Sequence, residues 1–263
     1  MDRIVFRGPA GFGDSVYDLA ICVELLKQFK VISIRTRHPS LFAWMKGMET
    51  ERWRKGGENL AIHYAHGRKV PGTCLWQDLL QSAQLDTKIP FEIKWKIHNQ
   101  PLLDRIKKEA GDKKICIIAC PYKPFDRPDN YGLDLRPDWN VFDKIVDYLK
   151  GKVFLVRIGK YVREHDTRGC HLDLVGKTSD TDLMDLGEVV DFGFSQNGFL
   201  IPLLESRNKP IFVLYSRKGL NSPDPIICNT KPEKILSKQT SGWAIDDHPM
   251  PDILSRLKET FHL

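Results

Sequence analysis

Apolar positions along this chain follow two rhythms. Short alternating or continuous runs are separated by longer segments whose apolar residues recur every three to four positions. Residues 4–6 (Ile-Val-Phe) form the first short run. They lead through Gly8-Pro9-Ala10-Gly11-Phe12-Gly13-Asp14-Ser15 into residues 16–29, which have one broad apolar face. That order predicts strand, glycine-rich turn, helix. The first half continues in kind. Residues 31–37 alternate as a strand, Pro39 opens a short helix over 40–45, and 59–64 form a third strand. A helix over 73–85 with Thr73 as its cap comes next, followed by alternation at 91–95 and a helix from Pro101 to about Ala110.

Gly111-Asp112 reads as a linker, after which the pattern starts again. Residues 115–120 are continuously apolar, as expected of a strand buried on both faces. A long polar loop, 121–137, precedes a helix over 139–149 and a strand over 153–158. Then come a short strand at 172–176, a helix starting within 178–182, and a strand at 189–194. Ser195-Gln196-Asn197-Gly198 is expected to be a turn into a helix over 199–206, and 211–215 to be a further strand. The stretch after Asn221 has no regular pattern until an amphipathic helix over 251–261. Strands separated by helices predict parallel sheets. The expected fold is α/β: two Rossmann-like domains, 1–110 and 111–263, facing a cleft, with the final helix able to pack back on the first domain.

Composition adds bounds. No apolar run reaches the length needed to cross a bilayer. No signal peptide is expected, and the six cysteines are scattered without a Cys-x-x-Cys pair, which suits a reducing, cytoplasmic setting. The charge is uneven. Residues 1–110 hold 18 Lys and Arg against 12 Asp and Glu, whereas residues 111–263 hold 22 of each. An excess of positive charge confined to one half suits an anionic partner, a phosphorylated glycolipid or a nucleic acid. It equally suits solubility alone.

The candidate chemistry gathers at strand ends. Glycines between a strand and a helix let a ligand approach the backbone closely. Asp14 would repel a phosphate held in that first turn, so the turn is read as presenting a carboxylate, with Gly11, Phe12 and Gly13 beside the acceptor. Arg52 and Trp53, with His63 and His66, pair basic and stacking groups on the same half. In the second half the turn Ser195-Gln196-Asn197-Gly198 contains no acid and is the expected phosphate site. Lys123 and Arg136 on the long loop, Gly159-Lys160 after a strand, and Thr178 complete the expected nucleotide side. No metal site and no bound cofactor are expected.

The order strand, Gly11-Phe12-Gly13-Asp14, helix resembles the start of the heptosyltransferase-like glycosyltransferases of family 9, which have the GT-B fold. Three later segments are similar in the same order: Arg136-Pro137-Asp138-Trp139 with its helix, Val175-Gly176-Lys177-Thr178-Ser179, and Val190 through Lys209-Pro210 to Tyr215. The resemblance implies transfer of a sugar from a nucleotide-sugar donor to an acceptor hydroxyl, inverting and metal-independent, with Asp14 as general base. It also places the donor's phosphates on the second domain. The chain departs from the family where it has Gln196 and Ile201, and it is short in the acceptor domain.

Other readings stand beside this one. The acceptor could be a hydroxymethylated base in DNA, given the charge of the first half. The Gln196 and Ile201 departures also suit a non-catalytic nucleotide- or nucleic-acid-binding protein on a decayed scaffold. A dinucleotide-dependent oxidoreductase fits poorly, because Gly11 and Gly13 are followed by Val16 where a third glycine is needed.

Overall fold

The computed structural model describes residues 3–7, 11–52, 60–61, 74–119, 137–159, 169–217, 232, 236, 238 and 241–263. The first sheet contains β1 (Arg3–Arg7), β2 (Val31–Thr36), β3 (Met48–Arg52) and β4 (Leu60–Ala61), in the order β3-β2-β1-β4 with every pair parallel. The second contains β5 (Ile115–Ala119), β6 (Phe154–Ile158), β7 (Leu172–Asp173), β8 (Phe192–Gln196), β9 (Ile211–Tyr215) and β10 (Gly242–Ile245). Its order is β10-β9-β8-β5-β6-β7, again parallel throughout. The chain thus builds outward from β5 to one edge, then returns to build from β8 to the other. That is the doubly wound order, with its topological switch between β5 and β8.

Seven α-helices join the strands among the described residues: α1 (Phe12–Leu25), α2 (Leu75–Ser82), α3 (Gln100–Ala110), α4 (Trp139–Lys150), α5 (Asp180–Val189), α6 (Leu200–Glu205) and α7 (Met250–Phe261). None is long and apolar enough to cross a membrane. The period-two burial of the second sheet sorts its residues cleanly. Cys116, Ile118, Phe194, Phe212 and Leu214 pack with α4 and α7, through Phe142, Ile145 and Leu149 and through Ile253, Leu257 and Phe261. Ile115, Ile117, Val156, Ile211 and Val213 face the other way, into a core continuous with α1 and with Phe6, Ile32 and Ile34 of the first sheet. Among the described residues the final helix packs on the second sheet and not on the first domain: Phe261 stacks on Phe192 at 4.1 Å.

The differences from the sequence reading have local causes. β3 escaped it because its alternating residues are charged: Glu49 meets Arg3, and Glu51 meets Ser33 and Arg35. β10 is too short to show a period and is defined by its pairing to β9. Residues 40–45 form only a 3₁₀ turn (Pro39–Leu41) followed by turns, and α2 starts after Cys74. Residues 91–95 do alternate, with Phe91 and Ile93 buried, but they join no sheet. They form an extended strap instead. Phe91 stacks with Trp76 and Tyr17, and the Ile93 N–H donates to the Ser206 carbonyl at 3.0 Å.

The strap ends on a buried carboxylate. Asp185 of α5, wholly buried, accepts from Trp95 Nε1 (2.6 Å), Asn99 N (2.6 Å) and His98 N (3.1 Å). Asn99 then caps α3 through the Leu102 N–H, and its amide donates to Asp182 at 2.7 Å. Exposed pairs such as Lys27–Glu24 and Arg105–Glu109 contribute little by comparison.

α1 carries a second buried acid. Asp18 is 2% exposed, and its Oδ2 has no hydrogen-bond partner. Burial, and after it the Asp14 carboxylate, hold the Asp18 carboxyl well above the usual carboxylate range. The folded chain therefore keeps this proton to higher pH than the unfolded chain does. The resulting stabilisation is complete below about pH 4 and is lost as pH rises toward the folded-state value. Asp18→Asn, neutral at every pH, should gain stability relative to the parent as pH is raised from 4 to 8, read from urea midpoints; an offset that does not change with pH would contradict this. Asp185→Ala orphans three donors at once and should cost about 2–4 kcal/mol in the same measurement.

Candidate active site

Residues that follow β1 and β2 of the first sheet meet residues that follow β7 and β8 of the second. Gly11 caps α1 with extended backbone geometry, and its carbonyl accepts from both the Ser15 N–H (3.0 Å) and the Ser15 hydroxyl (3.1 Å). A Cβ at Gly11 would lie 2.6 Å from Asp14 Oδ2, so the glycine leaves room for that carboxylate to fold back over the turn. Asp14 itself is half-buried in the first helical turn, a favourable place for a carboxylate.

At Gly13 a Cβ would lie 2.8 Å from the Phe199 Cα, so the missing side chain makes space for the second domain. Phe12 is half-buried, with its ring edge-on to Phe199 (5.4 Å) and to His38 (5.5 Å). Behind Phe12, His38 Nδ1 lies 2.9 Å from Asp180 Oδ2 at the start of α5. The Gly13–Phe199 contact, the His38–Asp180 pair and the strap on Asp185 thus bind one half of the chain to the other.

On the second domain the expected phosphate turn is shorter than the sequence suggested. Ser195 and Gln196 are strand residues of β8, because α5 runs on to Val189 and shifts the strand along the chain. Ser195 is buried, with its hydroxyl donating to the Gln196 carbonyl at 2.6 Å. The Gln196 Oε1 is buried without a partner. Asn197 (half-buried) and Gly198 (exposed) form the turn, and a Cβ at Gly198 would make only an ordinary contact with the Gln196 carbonyl oxygen at 3.9 Å. This turn follows β8 at the switch point, beside the end of β5. In doubly wound sheets ligands bind in the crevice at that position.

Along the same edge, Gly159 follows β6 at φ +151°, and its carbonyl accepts from the Gly176 N–H at 2.8 Å. Thr178 is half-buried just before α5. Between them Arg157, 1% exposed, pairs with Asp173 at 2.7 Å and ties the ends of β6 and β7 together. Lys123, Arg136, Lys160, Trp53, His63 and His66 lie outside the described residues, as does the side chain of Arg52, which ends β3.

Sequence reasoning missed Asp18, His38, Asp180 and Asp185. An acid inside the apolar stretch 16–25 was a usable signal for Asp18, but nothing local marks the pairing of His38 with Asp180, which are far apart in the chain. An Asp-x-Asp spacing, Asp180-Thr181-Asp182, was also passed over. Its carboxylates are engaged as helix-start and domain contacts: Asp182 completes a capping box with Ser179 and accepts from Asn99, while Asp180 holds His38.

No protein-family model matches this sequence, and no curated protein matches it. Solved structures do. A glycosyl transferase of family 9 from Veillonella parvula superposes at TM-score 0.67 and 10% identity, over 99% of this chain and 97% of its own. The ADP-heptose LPS heptosyltransferase II of E. coli gives 0.63 at 12%, over 100% and 99%. The E. coli heptosyltransferase WaaC with ADP gives 0.55 at 8%, over 98% and 97%. At such identities the likeness is one of architecture: the chain has the two-domain GT-B fold of these glycosyltransferases, as the resemblance in its sequence implied.

Proposed function

We propose that this chain is a glycosyltransferase that moves a sugar from a nucleotide-sugar donor to an acceptor hydroxyl, with inversion and without a metal. One observation carries the reading. Asp14 sits at the helix start after the central strand of one doubly wound sheet, one residue from the point where that turn meets Phe199, just past the switch point of the other. A base from one domain therefore lies beside the crevice in which the other would hold a nucleotide. The solved WaaC structure with ADP supports a nucleoside diphosphate as the leaving portion.

In this reading the nucleotide lies along the carboxyl edge of the second sheet. Its diphosphate is at Asn197-Gly198, and its nucleoside extends toward Gly159, Lys160 and Thr178. Lys123 and Arg136, on the segment that follows β5, supply positive charge to the diphosphate. Asp14 accepts the proton of the acceptor hydroxyl as that oxygen attacks the anomeric carbon. The bond from that carbon to the phosphate oxygen breaks, and its electron pair leaves with the diphosphate. Attack from the face opposite the leaving group gives inversion. The acceptor approaches along the first domain, where the net positive charge of residues 1–110 suits an anionic molecule.

Thermal-shift screening against sugar nucleotides tests the donor. A ligand at a hundred times its Kd should add about 2.7 kcal/mol of apparent stability. Asp14→Asn should keep that shift and lose at least about 100-fold in transfer rate; normal turnover by this variant would remove Asp14 as the base. For the acceptor, a phosphorylated glycolipid and an oligonucleotide carrying a hydroxymethylated base can be compared in salt titrations. The true acceptor should bind more weakly as salt rises, and an affinity indifferent to salt would rule out recognition by charge.

A further inference from the structure

The imidazole of His38 is only half used by the protein. Its Nδ1 is taken by Asp180 at 2.9 Å. A carboxylate only accepts, so Nδ1 carries a hydrogen. The backbone is fixed too, since the His38 N–H donates to Thr36 Oγ1 at 3.0 Å. The ring is held edge-on by Phe12. Nε2 has no hydrogen-bond partner among the described residues, and the side chain is 20% exposed. A histidine oriented by a carboxylate through one nitrogen, with the other left open, is the arrangement used to handle protons and charge.

Its position says which charge. His38 follows β2 at the carboxyl edge of the first sheet, but its partner Asp180 opens α5 on the second domain, after β7. Phe12, against which the ring packs, also packs on Phe199, the residue next to the Asn197-Gly198 turn. His38 thus lies at the seam between the halves, held to the start of α5 and, through Phe12, beside Phe199 and the turn before it. Charged groups on the elements around it are Asp180 and Asp182 on α5, Asp14 and the buried Asp18 on α1, and the adjacent Arg37.

We propose that His38, oriented by Asp180, is a diphosphate-binding residue contributed by the first domain, its imidazolium meeting the negative charge of the leaving nucleoside diphosphate. This rests on the glycosyltransferase reading above and adds to it. The chemistry stays balanced without a proton from His38. The departing diphosphate takes the electron pair of the broken bond to the sugar, the acceptor's proton goes to Asp14, and His38 donates a hydrogen bond from Nε2 to the phosphate. Asp180, which acts through His38, is a positioning residue.

The test follows the imidazole signals of the native protein by NMR as ADP, UDP or GDP is added, with His38 assigned from the signal lost in His38→Gln. Binding should move the His38 signal, because a phosphate that accepts from Nε2 changes the surroundings of the ring. His38→Gln should bind the nucleoside diphosphate about tenfold more weakly, with affinity for the unphosphorylated nucleoside unchanged. Asp180→Asn should weaken diphosphate binding in the same direction, by less. Nucleoside diphosphates that bind the native protein without moving the His38 signal would overturn the assignment and leave the glycosyltransferase reading intact. Equal weakening of nucleoside and diphosphate in His38→Gln would do the same. If no nucleoside diphosphate binds at all, both fall.

Discussion

There is no room for a side chain at Gly13, and much of the molecule is arranged around that fact. The first turn of α1 lies against the backbone of Phe199, closer than any Cβ allows. The contact sets residues that follow β1 against residues that follow β8 and leaves Asp14, one residue on, at the seam. Around it the seam is apolar: Phe12, Phe199 and the fully buried α6 make one core continuous from Phe6 to Tyr215. Close packing of this kind resists small displacements. The relation between the halves is therefore set by side-chain fit and not by the length of the connection between them.

The polar contacts across the seam are of two kinds. Asp185 is wholly buried and saturated by donors, and it fixes where the strap and α3 lie against α5. His38–Asp180 is half-exposed and only half-satisfied. The first kind belongs to stability, because three donors would lose their acceptor together. The second has capacity left for a ligand. Asp18 belongs to neither: it is a buried carboxyl whose protonated form is favoured by burial and, after it, by the Asp14 carboxylate.

Much of this was legible along the chain. Strands such as 115–119 and 211–215 are continuous apolar runs, and the helices 100–110, 139–150 and 250–261 carry apolar stripes that match the buried faces found. The helix after the first strand was legible, but it starts at Phe12, so Gly13 and Asp14 lie in its first turn and not ahead of it. The phosphate turn was legible only in part, since β8 runs from Phe192 to Gln196 and takes Ser195 and Gln196 into the strand. Periodicity locates an element far better than it locates its ends, because the last turn of a helix is decided by what it packs on.

What the amino-acid order determined by itself was the alternation of strands and helices, hence two parallel doubly wound sheets, and a carboxylate at the start of the first helix. These follow from local rules of period, capping and glycine placement, which need no knowledge of distant residues. Tertiary structure alone decided what the glycines are for and which acids are partners. It filled the space beside Gly13 with Phe199, gave His38 to Asp180, made residues 91–95 a strap rather than a strand, and laid the last helix on the second sheet. Each depends on residues distant in the sequence coming within hydrogen-bond or van der Waals reach, and no local pattern encodes that distance.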